Sequence, residues 1–558
     1  MFANNRIPRV LLASVFGPYC QDDEYGSRVL NPMELYHNQV TRVQGPFSLR
    51  MFHRSWGLMM IQANIQVPCL VLDFPTRDRF IEEIQNNRYD IVGISSITPN
   101  IHKVEEMCRL IREYSPGTII VVGGHIANIP DLGSKVGADH IVKGDGIRWF
   151  REFLGENPNQ PINHPTITSG FGIRSCGIPL KESPEEIAAT VIPSVGCPLG
   201  CNFCSTSAMF GGRGHSVDFY PTGDELFTIM TKLEQKMGVR SFFVMDENFL
   251  FNQKRALRLL ELMEKHEKAW TFYVFTSANV LEKYTIEQLV RLGISWVWMG
   301  IEGKDSQYQK LSGIDTIALV GKLQSNGIHV LGSTIIGLEN HTPENMDEVI
   351  RYAVSHNTDF HQFMLYTPIP GTPFHAELTQ RGLMKSEGEY NQSDIHGQFI
   401  FNWHHPNLSD QQASESLLKA FQSDFEVNGP SIVRVVDTTL AGFLKYGECS
   451  DLRVRDRVLW ESRNLRGRFS ALVGAAELYY KENPPMHGRM LSLLKDLHGE
   501  FGWKSRLSSF LGGYWLLWKI RQEEARLAKG VTREPRTFRE RNEHVVDSKI
   551  PLRPNVAI

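Results

Sequence analysis

Between residues 10 and 368 the chain repeats one device: a short apolar run, a turn of small or polar residues, then an amphipathic stretch. Runs without polar alternation must be covered on both faces, and helical crossovers between them make the sheets parallel. A first set occupies 10–15, 69–73, 91–95, 118–122 and 140–142. A second set occupies 190–193, 241–248, 271–279, 296–302, 332–337 and 362–368. The expected fold class is therefore α/β. An N-terminal doubly wound parallel sheet spans 1–160, and six β/α units in a row span 185–395. Both architectures place ligands at the carboxyl ends of their strands.

The chemistry is concentrated in the loop after the first strand of the second set. Cys197, Cys201 and Cys204 follow a Cys-x3-Cys-x2-Cys spacing among Gly196, Pro198 and Gly200. Three thiolates on one short loop can hold three irons of a cubic iron–sulfur cluster and leave the fourth iron open for a substrate or cofactor. The glycines and proline allow a tight wrap and close backbone approach. Zinc is the alternative, but it takes a second Cys or His pair at similar spacing, and none follows. Eight cysteines in 558 residues do not form a disulfide scaffold. A polar start at 1–9 and the lack of a run long enough to span a bilayer lead to a cytoplasmic expectation.

The net charge of −3 gives no bulk argument for nucleic acid. From Asp451 onward, however, 21 Lys and Arg stand against 13 Asp and Glu, a net of +8, so the preceding residues carry −11. A basic region can meet a membrane surface or an anionic substrate, or be a solvated helical face.

With Phe203 just before the third cysteine, the loop resembles the signature of the radical S-adenosylmethionine (SAM) superfamily. The resemblance implies that the six β/α units over 185–395 form a partial (β/α)6 barrel, about three quarters of a full eight-strand barrel, with a 4Fe–4S cluster on Cys197, Cys201 and Cys204 and SAM chelated to its open iron. It also implies a SAM pocket built from Phe203 beside adenine and from polar strand ends: Asp246, Glu247, Ser277, Asn279, Glu302 and Gly337. Relatives often use Gly-Gly-Glu where this chain has Met245-Asp246-Glu247, which leaves the amino-group ligand open. Each strand-end residue also reads as a cap of the following helix.

The first domain, directly ahead of that motif, looks like a cobalamin-binding domain of the group that includes the anaerobic magnesium-protoporphyrin monomethyl ester cyclase and the hopanoid methylases. Ser95, Ser96, Thr98, Gly123, Gly124, His125, Gly144, Asp145 and Gly146 would line the cobalamin site. The Asp-x-His-x-x-Gly motif of classical cobalamin domains is missing. Either cobalamin binds without a histidine from that loop, or the domain is a relic. Residues 17–60 form a long excursion that would cap cobalamin or shape a substrate pocket.

The remaining chain reads as helices over 396–530 and a loose polar tail over 531–558. The most apolar stretch, 506–519, reads as a core helix or an interfacial one. The resemblance implies cobalamin-dependent methylation of an unactivated carbon in a small-molecule or lipid substrate, with an electron donor such as flavodoxin or ferredoxin. Oxidative cyclisation, rearrangement, carbon–carbon coupling and a non-catalytic sensor stand as alternatives. No nucleic-acid partner is expected, and peripheral membrane contact would run through the basic C-terminal region.

Overall fold

A computed structural model describes residues 6–31, 33–303, 309–311 and 313–542. Five parallel strands, β1 (Val10–Ser14), β2 (Cys69–Asp73), β3 (Ile91–Ser95), β4 (Ile119–Gly123) and β5 (His140–Val142), lie in the order β2-β1-β3-β4-β5. Their alternate residues feed two cores. Leu11, Leu70, Val92 and Ile120 pack with Phe80, Ile84, Met107 and Ile111 of the helices Arg77–Asn86 and Ile101–Tyr114. Val10, Leu12, Val71 and Val121 pack with Leu58 and Phe150 of Trp56–Ala63 and Gly146–Phe153. Burial on both faces is the reason for the unbroken apolar runs.

The second sheet holds β6 (Ala189–Val191), β7 (Ser241–Val244), β8 (Thr271–Phe275), β9 (Ile294–Glu302), β10 (His329–Ile336) and β11 (Phe360–Leu365), parallel and in chain order. One face carries Val244, Val274, Val297 and Met299 against Leu226, Met230 and Leu259 of the flanking helices. The other carries a run of rings, Phe243, Tyr273, Phe275, Trp296 and Trp298, with neighbouring centroids 4.9–6.1 Å apart. Reciprocal capping boxes at Thr222/Glu225 and Thr285/Gln288 start two of those helices.

The excursion at 17–60 divides: Trp56, Gly57, Leu58 and Met60 at its end line a cavity beside the strand ends of the first sheet. Residues 36–40 press against the N-terminal ends of the barrel strands, opposite the cysteine loop. Tyr36 meets the Tyr273 hydroxyl at 3.2 Å and packs edge-on to Phe360, and Gln39 accepts from Gln362 at 3.2 Å. The segment closes the far end of the barrel.

The C-terminal region is helical as expected, with helices at Asp410–Asn428, Ser431–Tyr446, Leu452–Glu461, Ser470–Tyr479, Pro484–Leu507 and Gly513–Ala528. Two expectations need correction. Stretch 506–519 is not a core helix: Leu516 is buried, but Leu507, Phe510, Leu511, Tyr514, Trp515 and Trp518 face outward. The tail is not loose over its described part: β12 (Phe538–Arg541) pairs antiparallel with β2 at the edge of the first sheet. An edge strand offers unpaired backbone groups, and the tail's polar residues find partners there. Arg54 bridges Asp73 and Glu540 with its guanidinium 3.8 Å from the Phe538 ring centroid, and Glu534 accepts from the Tyr19 and Cys20 amides. Residues 543–558 lie outside the described residues. Among the described residues no helix is long and apolar enough to cross a membrane.

Candidate functional site

The cysteine loop leaves β6 through the short strand Ser194–Val195, which pairs with Val217–Asp218. Two glycines in left-handed conformations make the wrap possible. A Cβ on Gly200 (φ +62°) would lie 2.4 Å from the Arg213 Cα, and one on Gly196 (φ +85°) 2.7 Å from the Phe210 Cβ. Backbone bonds from Gly200 to the Cys197 carbonyl (3.3 Å), Cys204 to Cys201 (3.1 Å) and Gly214 to Pro198 (2.9 Å) hold the loop closed. Cys204 then caps Ser205–Met209, its sulfur accepting from the Ser207 amide at 3.4 Å.

Cys197, Cys201 and Cys204 are half-buried and free; of the other five cysteines, Cys20, Cys69, Cys108 and Cys176 are buried in the fold. Burial pushes the Cys197 thiol up to about 11 and raises Cys201 and Cys204 as well. Metal ligation at these thiols must therefore displace protons. Among the described residues no three His, Cys, Asp or Glu side chains converge on one ion.

The loop forms one wall of a cleft of about 920 Å³ at the barrel mouth, shared with Asn202, Asn279, Lys310, Leu338, Asn340 and Tyr366. Glu302 ends β9 at a register shift and has positive φ (58°), a strained position for a residue with a side chain. The turn aims its carboxylate at the Lys310 ammonium in a short ion pair, both side chains largely buried. A Cβ on Gly300 would meet the Glu302 carboxylate and the Lys310 ammonium, so a side chain there would push the pair aside. Although burial alone would lower it, Lys310 is held above the usual lysine range by Glu302 and Cys201. Its ammonium also stands 5.7 Å from the Phe203 ring centroid, and Phe203 meets Tyr366 edge-on.

The other strand ends divide in role. Asn248 links β7 to β8 by donating to the Ser277 hydroxyl (3.2 Å), which donates to Asn279 (2.7 Å). Gly337 (φ +82°) donates its amide to His341 at 3.0 Å and leaves no room for a side chain against Phe401. Asp246 turns inward: Ser194 donates to it at 2.5 Å, Arg255 forms a short ion pair with it, and the Asn248 amide bonds it at 3.0 Å. It offers no free oxygen to the cleft and positions the strand end instead. Glu247 does have one. Its Oε2 is buried without a hydrogen-bond partner, and burial together with Asp246 pushes its carboxyl up to about 7.

A second cavity, of about 290 Å³, lies where the two sheets' domains meet. The first domain lines it with Ser95, Gly123, Gly124, His125, Gly144, Asp145 and Gly146. The barrel lines it with Val195, Thr206, Phe210, Met245 and Glu247. At its base a Cβ on Gly93 would lie 2.7 Å from the Leu12 side chain, and one on Gly124 (φ +85°) would lie 2.5 Å from the Ser96 carbonyl oxygen. Ser96 and Thr98 do not line the cavity: Ser96 bonds within its own turn and Thr98 is buried in a 3-10 turn. His125 reaches across to the Thr206 hydroxyl at 3.0 Å, and Asn128 donates to the Ser205 carbonyl at 3.2 Å. These contacts join the first domain to the helix that begins at Cys204.

Whereas Asn248 falls in the strand end Asp246-Glu247-Asn248, Lys310 and Tyr366 are site residues that the sequence does not single out. Their only sequence signal is proximity to strand ends. Lys310 enters through the Glu302 pair, which is eight residues apart and made by a turn with no motif.

Glycine-lined strand ends of a parallel sheet thus face a barrel whose first loop carries three thiols. The family model of the B12 binding domain matches residues 57–154, and that of the radical SAM superfamily matches 191–353. The chain thus joins a B12-binding domain to a radical SAM domain, which implies cobalamin, SAM and a 4Fe–4S cluster. It is 25% identical over 320 residues to an uncharacterized methyltransferase, PH0819, of Pyrococcus horikoshii (51% of this chain, 68% of the relative). It is 28% identical over 333 residues to the bacteriochlorophyllide d C-12(1)-methyltransferase of Chlorobaculum tepidum (56% and 70%). Among solved structures, the radical SAM methyltransferase TsrM of Kitasatospora setae, with tryptophan and a SAM analog, shares the fold at a TM-score of 0.50 and 15% identity, covering 82% of this chain and 100% of that one.

The residues present fit these groups. Three free, half-buried thiols on one loop are the donor set of such a cluster, Glu247 keeps a buried oxygen without a hydrogen-bond partner, and Gly93, Gly123, Gly124, Gly144 and Gly146 line the second cavity without side chains.

Proposed function

We propose that this protein methylates an unactivated carbon of a small-molecule substrate, tetrapyrrole or lipid in class, using cobalamin, SAM and a 4Fe–4S cluster. The observation that carries the reading is the shared cavity: Gly123 and Gly124 form one wall and Thr206, Met245 and Glu247, beside the cysteine loop, the other. When bound, the cofactors supply radical hydrogen abstraction and a methyl group, chemistry outside the reach of amino-acid side chains. The chain's part is to hold and orient. Cys197, Cys201 and Cys204 hold the cluster, and the adjoining cleft with Asn279, Leu338 and the Glu302–Lys310 pair receives SAM. Phe203 and Tyr366 exclude water from one side. Glu247, poised near neutrality by burial, can hold or release a proton between the two sites. The electron comes from a small donor such as flavodoxin or ferredoxin.

Incubation of reconstituted enzyme with methyl-labelled SAM, methylcobalamin, reductant and cell extract should place label on a carbon of a product. Deoxyadenosine without methyl transfer would replace this reading with cyclisation, rearrangement or coupling.

A further inference from the structure

The C-terminal helices end in an arrangement that inverts the usual rule for a packed helix. Gly502 (φ +61°, ψ −141°) breaks the helix, and residues 503–528 run on through a π turn at Ser508–Gly512. At its start the face turned to the protein is small: Ser505, Ser509, Gly512 and Gly513 pack on Ser470, Ala471 and Gly474, with Ser505 and Ser470 hydroxyls 2.7 Å apart, and Leu516 and Ile520 follow into the helical core. The face turned outward is large and apolar. Trp503, Leu507, Phe510, Leu511, Tyr514, Trp515 and Trp518 follow the three- and four-residue spacing of one helical stripe. Trp503 is 68% exposed, Phe510 61% and Trp518 53%. A contiguous patch of this kind marks an interaction surface.

Charge selects its partner. From Phe501 to Gln522 the chain carries Lys504, Arg506, Lys519 and Arg521 and no acidic residue. Lys504, Arg506 and Lys519 make no ion pair among the described residues, and the Lys519 ammonium lies 4.5 Å from the Trp518 ring centroid. A second copy seated on this face would bring like charges together. An anionic bilayer supplies both an apolar phase for the stripe and phosphates for the cations, and tryptophan and tyrosine favour that boundary.

We propose that the outward face of residues 503–518 docks this protein in-plane on an anionic lipid bilayer. The stripe spans about 24 Å at 1.5 Å per residue, enough to lie in the interface. The inference is independent of the methylation reading, since it requires neither cofactor nor turnover.

The test is co-sedimentation of the full chain with phosphatidylcholine vesicles, with and without one quarter phosphatidylglycerol, at low and high salt. The protein should pellet with the anionic vesicles and be released by salt. Trp515→Ala/Trp518→Ala and Lys504→Glu/Arg506→Glu should each weaken binding at least about tenfold, because insertion and charge act together. All four positions are largely at the surface, so circular dichroism should be unchanged. Failure of the wild type to pellet with either vesicle overturns the proposal. So does a dimer in sedimentation velocity that the tryptophan variant abolishes, which would assign the face to a second copy.

Discussion

His125 Nε2 lies 3.0 Å from Thr206 Oγ1, joining the end of the first sheet to the helix that Cys204 caps. The bond crosses between domains, so the cavity walls at Gly124 and Glu247 are held in fixed relation by the protein itself.

Anaerobically reconstituted protein should carry one cluster on Cys197, Cys201 and Cys204. Alanine at all three should abolish the visible iron–sulfur absorption and SAM cleavage. Alanine at Cys20, Cys69, Cys108, Cys176 or Cys449 should leave iron content unchanged. A redox-active cluster surviving the triple replacement would refute the assignment.

The Glu302–Lys310 pair should separate SAM binding from iron binding. Glu302→Gln leaves a buried ammonium without its partner, a change worth about 3–5 kcal/mol where burial is complete. SAM affinity should fall at least about tenfold (~1.4 kcal/mol) and Tm should drop, with iron content intact. Glu302→Leu combined with Lys310→Met should restore Tm but not SAM affinity. Wild-type affinity in both would show that the cleft is not the SAM site. Asp246→Asn, by contrast, should act on Tm through Arg255.

Gly123 offers a clean probe of cobalamin binding. A Cβ there makes only ordinary contact, 3.5 Å from the Val142 carbonyl, so Gly123→Ala should fold normally. Gly123→Leu should project into the 290 Å³ cavity. After incubation with hydroxocobalamin and gel filtration, wild type should retain about one equivalent and the leucine variant none, with equal iron. Equal retention in both would place the corrin elsewhere.

Acid should loosen the cysteine loop before the rest of the barrel. His164 accepts from the Ile192 amide at 3.0 Å through Nε2 and donates from Nδ1 to Pro165 at 2.7 Å, an arrangement open only to the neutral ring. Burial lowers its pKa to about 4, and likewise that of His53. A histidine with a depressed folded pKa gives its full stability above the unfolded value near 6.5. That stability is lost as pH falls from there toward about 4. Tm should therefore decline between pH 6.5 and 4, less steeply in His164→Gln. Identical slopes would exclude His164 as a contributor.

The excursion at 36–40 and the strand at 538–541 explain much of what sequence reading could not reach. Tyr36 meets Tyr273 across 237 positions and Arg54 meets Glu540 across 486. Neither end of these pairs has a local pattern that announces the other.

Strand runs, helical crossovers and the spacing of Cys197, Cys201 and Cys204 were legible in the sequence because backbone periodicity and loop length are local properties. They determined two parallel sheets and a three-thiol loop. Tertiary structure alone decided which strand-end groups serve the site. It turned Asp246 inward to Arg255, left Glu247 with an unpaired oxygen, drew Lys310 to Glu302, and kept Ser96 and Thr98 out of the cavity. It also set the stripe from Trp503 to Trp518 facing outward, since periodicity finds an apolar face but only packing says what covers it.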